Sequence, residues 1–487
     1  MKLFIRLVLI FTLSFVIVPP VWAKKGIRDA VVKIYTTYNR YNYYEPWKMR
    51  SQEQRTGSGC IISGKRILTN AHVVGDQTFI QVRRAGDSRK YTAEVKTVAH
   101  ECDLAILQVN DQLFFTGIKP LGIGSLAEVR DKIAVYGFPS GGDELCITAG
   151  VVSRVGHRKY THSSAYLLAG QIDAAINPGS SGGPVIKDDK IVGVAFQAGS
   201  GENISYMVPV PVINHFLKDI KDGRYDGIPG LGISWQRTES PDIRSKYNMT
   251  EKQTGVLVNK VYPDSTAKGI LSSGDIILSI DGKNIGNDGK IEFRKGERTH
   301  FEYLLQNKYI NDTAKFEILR ENKNVNIEIK LSESVNQGRL VPHERYDVAP
   351  TYYILGGLVF APLTLNFLKE WGNWYDDAPM NLVNYYYYGE ATDDQREIVL
   401  LVKILADEAN VGYHDWRYKV ISYINGKTIS TMKDLISAFE EHEGNYHTIV
   451  DEWGYQIVLD KVKVNENSHR ILEKYKIGSD RSKDLAR

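Results

Sequence analysis

From Asp29 to about Val212 the apolar residues come in short runs rich in Val and Ile: Val31 to Tyr35, Gly59 to Ser63, Phe79 to Arg83, Leu104 to Val109, Lys132 to Gly137 and Ile191 to Phe196. Gly, Asn and Asp punctuate them, as expected of strands joined by tight turns. A helical period first appears at Val212 to Ile220. Many short strands closed by one helix predict antiparallel β-barrels. From about Gly230 strand and helix patterns alternate and the text repeats weakly. Ile276 to Ile285 reads against Val420 to Ile429, each a strand ending in an Asp-Gly or Asn-Gly hairpin turn. A glycine-led apolar loop precedes each copy, Gly230 to Ile233 and Gly357 to Phe360. Two related α+β modules are expected, at 226–335 and 336–470, after a first domain at 24–225. The stretch 471–487 is charged and reads as a loose tail.

Residues 1–23 read differently. Lys2 and Arg6 precede a largely apolar run from Leu7 to Val18, and Val21-Trp22-Ala23 offers small residues where a signal peptidase reads. Pro19-Pro20 stops the run short of the ~20 apolar residues a spanning helix needs. An exported protein is therefore expected, soluble after cleavage and resident in a periplasm. The 487 residues are too many for one core, and the formal net charge of +3, without basic runs, gives no reason to expect nucleic acid. The three cysteines, Cys60, Cys102 and Cys146, lie in apolar runs and read as buried small hydrophobes. No Cys-x-x-Cys pair and no His-Glu-x-x-His occurs, so neither metal nor cofactor is expected.

Three segments carry chemistry. Leu68 to Val74 places His72 just past a strand, Cys102 to Leu107 places Asp103 at the start of another, and Asn177 to Pro184 places Ser181 in a glycine-rich turn. Taken singly they could be a core histidine, a turn cap and a flexible loop. Together they supply a nucleophile, a base that takes and returns its proton, and a carboxylate that fixes the imidazole tautomer. The glycines let the backbone amides of Gly179 and Ser181 converge on a developing oxyanion, where one donor is worth on the order of 3 kcal/mol.

Thr69-Asn70-Ala71-His72, Asp103-Leu104-Ala105 and Gly179-Ser180-Ser181-Gly182-Gly183-Pro184 resemble the HtrA/Deg family of serine proteases. Ser180 departs from that pattern, standing where most members carry Asn. The resemblance implies a mainly β fold, a chymotrypsin-like double β-barrel followed by two PDZ-like modules. It implies Leu231, Gly232 and Ile233 as a peptide-binding loop, and a divergent second module, Tyr-rich as in the plant-type enzymes. It places Ala175 and Ile176 at the primary specificity pocket, an apolar site for Val, Ala, Ile or Leu; Asp173 is a minor alternative that would favour Lys or Arg. The expected activity is endoproteolysis of unfolded or damaged exported proteins, with peptide C-termini as further partners. No Gly-x-x-x-x-Gly-Lys-Ser/Thr loop is present to couple it to ATP. Assembly on trimers is implied, with Tyr35, Tyr38, Tyr41, Tyr43, Tyr44 and Trp47 as contacts or, alternatively, as rings folded onto their own barrel. The competing reading is a holdase or binding protein with an inert protease scaffold.

Overall fold

The computed structural model describes residues 25–140, 142–199, 203–335 and 338–486; the leader read at 1–23 lies outside them. Strands β1 (Val31–Tyr38), β2 (Glu53–Ile62), β3 (Arg66–Thr69), β4 (Gln77–Arg84), β5 (Tyr91–Ala99) and β6 (Leu104–Gln108) close a barrel in the order β1-β2-β3-β6-β5-β4. Val and Ile along these strands point inward because alternate side chains of a strand face one side. The hairpin Gly59 to Lys65 resembles a nucleotide loop only as far as its lysine; Arg66 follows, and the segment joins β2 to β3.

The second sheet comprises β7 (Gly122–Ile123), β8 (Lys132–Gly137), β9 (Cys146–Lys159), β10 (Tyr166–Ile172), β11 (Pro184–Lys187), β12 (Lys190–Ala198) and β13 (Ser205–Pro209). Its order is β11-β8-β9-β10-β13-β12-β7, and the β11–β12 pairing closes it as a second barrel. The helix Val210–Asp219 packs Val212, Ile213 and Phe216 into the core shared by both barrels. This is the double β-barrel expected from the run of short strands.

Two further sheets follow. One runs β14 (Ile233–Arg237), β15 (Val256–Val261), β16 (Ile276–Ile280), β20 (Thr313–Arg320), β21 (Lys323–Lys330), with β17 (Lys283–Asn284) beside β16 and β18 (Lys290–Arg294) pairing β19 (Glu297–His300) apart. The other runs β22 (Tyr353–Leu355), β23 (Leu358–Pro362), β24 (Val399–Ile404), β25 (Lys419–Ile424), β27 (Tyr446–Asp451), β28 (Gln456–Asp460), with β26 (Lys427–Thr428) beside β25. The repeat in the text is a repeat in space. Asp281-Gly282 and Asn425-Gly426 all take positive φ, and each pair joins its strand to a two-residue partner.

Three expectations need correction. Residues 471–486 are not a loose tail: the helix Lys461–Lys474 buries Ile471, and the Ser482 amide donates to the Tyr352 carbonyl at 3.0 Å. The charged letters hid this because the helix is amphipathic and only one side is covered. Cys60 and Cys102 are buried, but Cys146, at the open start of β9, is exposed. Of the aromatic cluster, Tyr35 and Tyr38 stand on β1, with Tyr38 beneath the Arg55 guanidinium of its own barrel, but the loop 39–50 beyond them docks on neither barrel face. Tyr44 packs against Phe367, Trp371 and Tyr418 of the second PDZ-like module, and Trp47 packs against Tyr352.

Candidate active site

His72 stands on the four-residue helix Ala71–Val74 directly after β3, and Asp103 closes the turn between β5 and β6. Both belong to the first barrel. Asp103 Oδ2 lies 2.7 Å from His72 Nδ1, while its Oδ1 accepts the His72 backbone amide at 2.9 Å. The carboxylate thus fixes both the ring and the peptide that carries it. Asp103 has φ +53°, a left-handed conformation that costs a non-glycine residue energy and is held here by its surroundings. Asn70 Nδ2 donates to the Asp103 carbonyl at 2.7 Å. Burial alone would raise the Asp103 carboxyl, but its pairing with His72 and the hydrogen bonds from the His72 ring and amide hold it below its ordinary value.

Ser181 comes from the second barrel, between β10 and β11. The turn around it is closed, not flexible. A Cβ on Gly182 would sit 2.1 Å from the Ser58 carbonyl oxygen and 2.3 Å from Thr69 Oγ1, and one on Gly183 would sit 2.1 Å from the Tyr136 carbonyl oxygen. Gly179 and Gly182 have φ +91° and +85°. Ser58, on β2, binds the two barrels together here. Its amide donates to the Ser181 carbonyl, its hydroxyl donates to the Gly179 carbonyl and accepts from the Phe138 amide, each at 2.8 Å. The amides of Gly179 and Ser181 donate to no described residue, as two donors reserved for a developing oxyanion would. Ser181 Oγ lies 3.5 Å from the Phe196 carbonyl and makes no hydrogen bond to His72 among the described contacts. Such bonds are commonly long in ligand-free enzymes.

His72, Gly179 and Ser181 open onto a cleft of about 850 Å³. Its walls include Arg55, whose guanidinium donates to the His72 carbonyl at 2.8 Å and to the Gly75 carbonyl. They also include Glu344, Tyr346 and Lys369, which come from the far end of the chain. His162 completes this side. Burial pushes its imidazole down to about 3, so it stands neutral against the His72 ring, with 6.0 Å between centroids. Tyr346 stacks on it at 4.1 Å. Sequence reasoning missed Asn70, Arg55, His162 and Tyr346. Only Asn70 left a signal, within the histidine motif.

Ala175 and Ile176 do not line this cleft: Ala175 is exposed, and Ile176 is buried with its amide donating to Ser205 Oγ at 3.3 Å. The Asp173 carboxylate is engaged by the Val151 amide at 2.6 Å. Leu231, Gly232 and Ile233 do come together, in a groove of about 210 Å³ shared with Glu302, Leu305, Arg339 and Tyr166. In the second module the corresponding glycines are plugged. A Cβ on Gly357 would meet Asn410 Nδ2 at 2.4 Å and the Leu405 carbonyl oxygen at 2.5 Å, and Asn410 Nδ2 donates to the carbonyl of the neighbouring Gly356 at 2.8 Å.

The fold and the constellation define a trypsin-like serine protease carrying two PDZ domains. Residues 57–194 match the trypsin-like peptidase domain, 229–331 a PDZ domain and 341–484 another PDZ domain. The chain is 39% identical over 460 residues to putative protease Do-like 3, mitochondrial, of Arabidopsis thaliana, covering 94% of this chain and 80% of that one. It is 38% identical over 462 residues to protease Do-like 2, chloroplastic, of the same plant, covering 94% and 75%. A solved structure of the HtrA-type protease AlgW with a tripeptide superimposes with a TM-score of 0.50 at 25% identity, covering 63% of this chain and 94% of that one. The chain belongs to the HtrA/Deg family of serine proteases.

Proposed function

We propose that the protein is an ATP-independent endopeptidase that cleaves unfolded or damaged proteins through an acyl-enzyme. The observation that carries this reading is the 2.7 Å His72–Asp103 pair facing, across one cleft, a serine held in a closed turn with two unengaged amides. Ser181 Oγ attacks the scissile carbonyl carbon as its proton passes to His72 Nε2. Asp103 stabilises the imidazolium through Nδ1–H. The oxyanion is received by the amides of Gly179 and Ser181. His72 then returns the proton to the leaving amine, and a water repeats the sequence to free the acyl group.

An unfolded chain suits the cleft, because only an extended segment reaches a serine lying between two barrels. The groove at Leu231, Gly232 and Ile233 is suited to peptide C-termini by strand addition. Small aliphatic side chains are the preference we assign on the family resemblance alone, which names Ala175 and Ile176, both uncharged; Asp173 is engaged by a backbone amide. The compartment we assign is exported or organellar, in keeping with the mitochondrial and chloroplastic names of relatives; a periplasm is one such setting. A trimer rests on the family resemblance alone, since Tyr44 and Trp47 are engaged within the chain.

Digestion of fluorescein-labelled casein in ATP-free buffer tests the reading. The wild type should degrade it and Ser181→Ala should not. Digestion by Ser181→Ala overturns the assignment, and suppression of aggregation without any cleavage by the wild type favours the holdase.

A further inference from the structure

The turn His100–Asp103 is short, and its residues reach the segments that lead into both PDZ domains. The Asp103 amide closes it on the His100 carbonyl at 3.2 Å. Asp103 serves the triad. Glu101 turns the other way, accepting the Tyr225 hydroxyl at 3.0 Å and the Ile228 amide at 2.9 Å. Tyr225 and Ile228 lie in the linker between the protease barrels and the first PDZ domain. Tyr225 Oη also lies 3.9 Å from Cys102 Sγ. His100 reaches the lead-in to the second PDZ domain: its Nε2 lies 2.8 Å from Asp347 Oδ2 and its Nδ1 2.9 Å from His162 Nε2. Tyr346 stacks on both imidazoles, at 5.0 Å from His100 and 4.1 Å from His162. The same lead-in also grips the catalytic histidine's side. The Asp76 amide donates to the Asp347 carboxylate at 2.6 Å and the Asp347 amide to the Asp76 carboxylate at 2.8 Å, and Asp76 follows Gly75, the C-cap of the helix that carries His72.

Asp103 ends a turn closed by its own amide on the His100 carbonyl, so a displacement of His100 or Glu101 reaches Asp103 through at most three residues of backbone. We propose that this turn is the point at which the segments leading into the two PDZ domains set the geometry of the catalytic aspartate. Glu101 and His100 are the positioning residues, held respectively by the Tyr225–Ile228 linker and by the Tyr346–Asp347 lead-in. Neither touches substrate: His100, Glu101, Tyr225 and Asp347 are all absent from the cleft wall, whereas Tyr346 is part of it.

The proposal rests on the triad reading above, and its test separates the two. Tyr225→Phe removes one hydroxyl and Asp347→Asn one charge; both are made in the full chain, singly and together. Steady-state kinetics on labelled casein and the rate at which diisopropyl fluorophosphate inactivates Ser181 are measured, with melting temperatures alongside. Each single change should lower kcat and the inactivation rate by about two- to tenfold, the scale of one hydrogen bond, and leave KM unchanged. Tyr346→Ala should alter KM as well. A normal kcat in both single variants and the double variant overturns the proposal, even with a lowered melting temperature. So does a change confined to KM. Loss of activity in Ser181→Ala beside unchanged Tyr225→Phe and Asp347→Asn would sink this inference while leaving the proposed function standing.

Discussion

The ring of Tyr44, in the loop after the first strand, meets Trp371 of the second PDZ domain edge-on, with centroids 5.3 Å apart. Phe367 and Tyr418 complete the cluster, and the loop is tied further by the Arg50–Glu370 and Lys403–Glu45 ion pairs. Edge-to-face pairs add about 0.5–1.5 kcal/mol each beyond the area they bury. Tyr44→Ala should therefore destabilise the attachment by about 2 kcal/mol and open the loop to trypsin at Arg40, Lys48 and Arg50. Limited proteolysis followed by mass spectrometry reads this directly. An uncut loop in the variant would mean that the ion pairs suffice.

Gly182→Ala is expected to abolish proteolysis without unfolding the protein. The new methyl would overlap the Ser58 carbonyl and Thr69 at a residue with φ +85°, so the nucleophile turn must shift. Circular dichroism should stay native while labelling by diisopropyl fluorophosphate disappears. Normal labelling would show that the turn yields elsewhere.

Asp103→Asn should lower kcat by about 10⁴ with little change in KM, because the amide favours the wrong imidazole tautomer. The effect should match that of His72→Ala in scale and not add to it, as the groups act together. A loss below tenfold would remove Asp103 from the triad.

Acid should destabilise the fold between about pH 6.5 and 4.5. Burial pushes His162 and His343 down to about 3 and His157, His300 and His447 down to about 4. In that window the unfolded chain binds protons at these sites and the folded chain does not, so stability falls as pH falls. Glu101 and Glu302, raised by burial to about 7, work oppositely, since the folded state holds their protons through the same window. His215, also lowered by burial, joins the first set, and Asp76 and Glu397, also raised by burial, join the second; six imidazoles outweigh four carboxyls, and the melting temperature should drop on acidification. A rising or flat profile would contradict the sign.

The double barrel, the paired modules and the three triad motifs were legible because each is local: a period of two, an Asp-Gly turn, a glycine run. What joins them was not. His100 and Asp347 are 247 positions apart, and no spacing rule links an imidazole in one turn to a carboxylate in a distant lead-in. The aromatic loop misled for a similar reason. Its composition marked a sticky surface, but which surface it meets depends on the docking of the second PDZ domain. The tail was misread because charge on the open face of a helix masks a sparse buried stripe, here Val464 and Ile471.

Ser58 gives the molecule a form of self-restraint. Its amide and hydroxyl, on the first barrel, hold the serine-bearing turn of the second. During synthesis the first barrel emerges with a base and an acid but nothing to activate. The second, until it docks, carries a serine whose turn lacks its template. Cutting ability arrives only when the two barrels dock, so neither barrel by itself is a protease.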